Sequence, residues 1–111
     1  MGIHSFGSAE YILDAAATHT TTNTAAYQTA LNLTSDVGGA LVISWIDAGD
    51  ASDTNYLKVT IDGNVILTDV ENQRRGAPLA TFYSFNTSFK VEHKTGNVAN
   101  ASSVKVAYCT Y

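Results

Sequence analysis

Tyr56-Leu57-Lys58-Val59-Thr60-Ile61-Asp62-Gly63-Asn64-Val65-Ile66-Leu67-Thr68-Asp69-Val70 decides the fold. Leu57, Val59 and Ile61 alternate with Lys58 and Thr60, and this period of two is that of a strand with one dry and one wet face. Asp62-Gly63 then breaks the run between two β-patterned segments. A two-residue turn of this kind needs positive φ, which Gly adopts freely and Asp tolerates, so the stretch predicts a hairpin.

The same alternation spreads outward from the hairpin. Phe89 and Val91 alternate with Ser88, Lys90, Glu92 and Lys94, and His93 falls on the inward side of that strand. Val104, Val106 and Tyr108 alternate with Ser103, Lys105, Ala107 and Cys109, while Tyr27, Leu31 and Leu33 alternate with Gln28, Ala30 and Asn32. Gly38-Gly39 opens Ala40-Leu41-Val42-Ile43-Ser44-Trp45-Ile46, which is apolar on both faces. That predicts a central strand covered on each side, or one whose outer face meets a partner. Leu79 to Phe85 follows the only proline, Pro78, and supplies an aromatic-rich strand.

Strands are therefore expected at about 26–34, 39–47, 55–61, 64–70, 79–85, 87–94 and 103–110. An eighth, at 10–14, competes with a short helix over Glu10–Ala17. The tract Thr18-His19-Thr20-Thr21-Thr22-Asn23-Thr24 reads as a loop or extended arm, so that residues 1–25 stand apart from the body. No strand–helix–strand alternation occurs. Seven or eight short strands with regular turn signals predict one all-β domain over residues 1–111, an antiparallel sandwich or barrel.

Charge excludes several functions. The chain carries a formal charge of −4, and charged residues make up only 14% of it, against about 25% in a typical protein. Every basic residue lies at or beyond Lys58, and no basic stripe exists to neutralise phosphates, so nucleic acid is not an expected partner. No apolar run approaches the ~20 residues of a membrane-spanning helix. The N-terminus lacks a basic start followed by an apolar core, so no secretory signal is expected. The lone Cys109 allows no internal disulfide.

Chemistry-bearing patterns are sparse. Asp47, Asp50 and Asp53 sit on one loop, where carboxylates can gather a hard cation such as calcium. Their every-third spacing lacks the closing Glu of a helix-loop-helix calcium site, and turn formation explains them equally. The three histidines have no zinc-like spacing. No nucleophile elbow and no phosphate-cradling glycine loop occurs, so neither an enzyme nor a cofactor is expected. Arg74-Arg75 could grip an acidic partner surface. Trp45, Tyr56, Phe82, Tyr83, Phe85 and Tyr111 could form a platform for sugar rings or fill the core.

Four segments carry a resemblance: Gly39-Ala40-Leu41-Val42-Ile43-Ser44, Leu57-Lys58-Val59-Thr60-Ile61-Asp62-Gly63, Phe85-Asn86-Thr87-Ser88-Phe89-Lys90-Val91-Glu92 and Val104-Lys105-Val106-Ala107-Tyr108. In this order they resemble small structural proteins of tailed bacteriophages, over about two-thirds of the chain. The resemblance implies a jelly-roll virion component, such as a capsid decoration (cement), head-fibre or tail-associated protein. It would be made in the host cytoplasm, assemble as a homotrimer, and stabilise the head by bridging major capsid subunits. Thr20, Thr21 and Thr22, within the arm, and Arg74 and Arg75 would then contact those partners. The alternative from the same fold is a carbohydrate-binding module.

Overall fold

The computed structural model describes residues 18–47, 55–72, 78–96 and 101–111. Eight strands run in chain order: β1 (Thr18–Thr22), β2 (Gln28–Thr34), β3 (Gly39–Asp47), β4 (Asn55–Ile61), β5 (Asn64–Asn72), β6 (Pro78–Phe85), β7 (Ser88–Thr95) and β8 (Ser102–Thr110). They form two antiparallel four-stranded sheets, ordered β1-β8-β3-β6 and β2-β7-β4-β5. Strand pairs 1–8, 2–7, 3–6 and 4–5 are nested, as in one long hairpin with the β4–β5 turn at its tip. Rolling that hairpin brings β8 beside β3 and β7 beside β4, which makes the molecule a sandwich, of the two forms the alternation allowed, and gives it jelly-roll order. Among the described residues no helix is long and apolar enough to cross a membrane.

Alternation becomes packing directly. Leu41 and Ile43 of β3, Val104 and Val106 of β8 and Phe85 of β6 meet Leu57 and Val59 of β4 and Phe89 and Val91 of β7 in one buried cluster. The Phe85 and Phe89 rings meet edge to face at 5.0 Å, and Phe89 meets Tyr108 at 5.7 Å, the offset geometry that aromatic quadrupoles favour. Cys109 is also buried. A register shift between Thr29 and Leu31 on β2 leaves Ala30 buried beside the half-buried Leu31. The extra residue of a bulge thus interrupts the simple alternation expected there.

The hairpin forms as expected. Asp62 has φ 51° and Gly63 φ 83°, the paired positive values of a tight hairpin turn. A Cβ at Gly63 would meet nothing within 4 Å, whereas one at Gly39 would lie 1.9 Å from the Cys109 carbonyl oxygen. Gly63 is required by conformation and Gly39 by the closeness of β8.

The Thr-rich tract departs from expectation. Thr18–Thr22 is not an arm but the edge strand β1, pairing with β8 from Thr18↔Val106 to Thr22↔Ser102. Its inward side chains are threonines, so no apolar–polar alternation marked it. They face a polar end of the interior, where a hydrogen bond joins Thr20 Oγ1 to His93 Nε2 (3.3 Å) and another joins His93 Nδ1 to Ser102 Oγ (3.2 Å). The possible strand or helix at 10–17 lies outside the described residues.

Candidate functional site

Strand parity sorts the aromatic residues. On β6, Phe85 is buried and the half-buried Tyr83 packs against the core, both on the same parity, with Tyr83 opposite Leu41 and Phe85 opposite Gly39 on β3. Phe82, the residue before Tyr83, points to the opposite face and is 64% exposed. Tyr111, just beyond β8, is 43% exposed and is positioned by its N–H donating to the Gly38 carbonyl at 3.0 Å. Together with Ala40, Tyr83 and Ser84 they line a shallow depression of about 350 Å³ on the β1-β8-β3-β6 sheet. That is near the lower end of the volumes usual for small-molecule sites.

The floor follows from the register. Ala40 stands between Cys109 of β8 and Ser84 of β6, and Val42 between Ala107 and Phe82. These are the outward residues of β3, the strand apolar on both faces. Small side chains at Ala40 and Ser84 leave a hollow, and the two rings rise beside it. Aromatic walls with the hydroxyl-bearing residues Tyr83, Ser84 and Tyr111 in the lining suit a ligand having both an apolar face and hydroxyl groups.

A second aromatic cluster occupies the other sheet. Lys94 Nζ lies 4.5 Å from the Tyr27 ring centroid and 5.1 Å from that of Tyr56, and Lys58 Nζ lies 5.6 Å from Tyr27. The ammonium groups already engage these ring faces in cation–π contacts. The ring faces of Tyr27 and Tyr56 are thereby already partly occupied.

The other candidates divide. Thr21 is exposed on β1, while Thr20 and Thr22 are half-buried. Asp50, Asp53, Arg74 and Arg75 lie outside the described residues, as do the side chains of Asp47 and Trp45. Among the described residues no group of three or more His, Cys, Asp or Glu side chains could hold a metal ion.

Among the described residues two titratable groups are perturbed, and both serve structure. Asp62 accepts from the backbone N–H groups of Asn86 (2.9 Å), Thr87 (2.7 Å) and Ser88 (3.1 Å), and from the Thr87 hydroxyl (3.1 Å). The Thr87 and Ser88 backbone bonds lead in holding its carboxyl below the usual value. Its carboxylate thus clips the β4–β5 turn to the β6–β7 turn. Burial pushes His93 down to about 4, so it is neutral at physiological pH.

Ser84 and Ala40 were not singled out as site residues from the sequence. The signal was present in the parity of β6, since an inward Phe85 forces Phe82 and Ser84 outward.

No family model and no curated protein matches the chain. Among solved structures, it is similar to the C-terminal domain of EclA, a sugar-binding protein. The two are 11% identical, with a TM-score of 0.50 over 96% of this chain and 89% of that one. At that identity the likeness shows a shared β-sandwich fold.

Proposed function

We propose that this chain is a non-enzymatic carbohydrate-binding domain whose site is the depression between Phe82 and Tyr111. One observation carries the reading: two exposed aromatic rings flank a hollow floored by Ala40 and Ser84. The C–H face of a sugar ring stacks on an aromatic face, and a hydroxyl such as that of Ser84 can orient it. The sugar-binding title of the EclA domain agrees with this use of the fold, which serves lectins and viral capsids alike.

A glycan array probed with the full chain tests the proposal. Binding should appear for a subset of glycans. Phe82→Ala and Tyr111→Ala should each weaken it about threefold to tenfold, the equivalent of one aromatic contact worth roughly 0.5–1.5 kcal/mol. Tyr56→Ala, on the other sheet, should leave it unchanged. An array without signal, together with retention of the chain on purified virus particles, would favour instead the capsid-decoration role that the sequence resemblance implies.

A further inference from the structure

Each sheet has two edge strands: β1 and β6 in one, β2 and β5 in the other. An edge strand presents a row of backbone donors and acceptors that can template another strand, and proteins blunt such edges with charge, bulges or short length. Three of the four edges show such a device. β1 has only five residues. A register shift interrupts β2 between Thr29 and Leu31, and two interrupt the pairing of β5 with β4. β5 also carries Asp69 and Glu71.

β6 has neither charge, bulge nor short length, and its one proline, Pro78, stands at its first residue, leaving Leu79–Phe85 unprotected. It runs for eight residues, pairs with β3 from Ile46↔Pro78 to Gly39↔Phe85 without a register shift, and contains no charged residue. Among the described residues no strand flanks its other edge. Near its middle stands Phe82, the most exposed of the large apolar side chains described.

We infer that β6 pairs antiparallel with β6 of a second copy of this chain. The two four-stranded sheets then continue as one eight-stranded sheet about a two-fold axis. A uniform, uncharged strand is self-complementary in this arrangement, as an isologous contact requires. Keeping both outer faces on one side places residues of equal parity opposite each other. The register centred on Phe82 sets the two exposed rings side by side and puts Thr81 of each copy opposite Tyr83 of the other. Aromatic cross-strand pairs of this kind stabilise a sheet. The pairing uses the strand edge and does not depend on sugar binding.

Light scattering on the full chain should read twice the 11.8 kDa chain mass. Directly opposed residues of an antiparallel pair hold their Cβ atoms about 4.5–5.5 Å apart, close to disulfide reach. Phe82→Cys should therefore form an intermolecular disulfide under mild oxidation. Ser84→Cys, on the same face but opposite Ala80, should form little. The native Cys109 is buried and should form none. A mass of one chain at the highest attainable concentration, or a mass of three chains, would overturn the inference. So would equal cross-linking at positions 82 and 84. Loss of glycan binding with the dimer intact would sink only the sugar reading.

Discussion

Asp62 and His93 make stability depend on pH in two separate windows. Unfolded His93 takes a proton near 6.5, whereas the folded side chain resists it until about 4. Stability is therefore full above 6.5 and falls by about 3 kcal/mol as the pH drops towards 4, below which both states are protonated and the loss is complete. Denaturant unfolding of wild type and His93→Gln from pH 7.5 to 4 should show this slope in wild type alone. Asp62 acts lower: its stabilisation is full above the unfolded value of 3.8 and disappears as the pH falls through its depressed folded value. Asp62→Asn should lower the melting midpoint at pH 7, and the difference from wild type should close below pH 3.8. At the neighbouring Gly63, open space around the missing Cβ isolates the backbone effect. Gly63→Val should cost about 1–2 kcal/mol for a left-handed β-branched residue, and Gly63→Asn distinctly less, as thermal melting can show.

Strands with one wet and one dry face could be read from the chain; the one lined by polar side chains could not. β4 and β7 show the pattern plainly, because Leu57, Val59, Phe89 and Val91 fill the core while the lysines between them meet solvent. β1 is as much a part of its sheet, yet Thr18, Thr20 and Thr22 face inward where His93 and Ser102 need hydrogen-bond partners rather than apolar contact. That difference is testable. Deleting residues 1–22 should strip β8 of a neighbour and His93 of a partner, lowering the melting midpoint and promoting association through the bared edge. A dispensable arm would leave melting unchanged. The candidate site was legible as residue types but not as a place, since Phe82 and Phe85 differ only in parity and the hollow needs three strands in register.

Taken whole, the molecule is a sandwich whose two faces differ: lysines over tyrosines on one sheet, and an apolar hollow with exposed rings on the other. Ligand recognition and copy-to-copy pairing both fall on the second sheet, at the face and the edge of the same strand, β6. The nested pairing of strands has a consequence for biosynthesis. Of the eight described strands β1 leaves the ribosome first and its partner β8 last, so the pairing they share cannot form until β8 is translated. At roughly 5–20 residues per second, β1 must wait several seconds with its pairing groups in water. A tract of threonines can wait there without seeking apolar company, whereas an Ile- or Val-rich strand in that position would expose a sticky surface throughout translation.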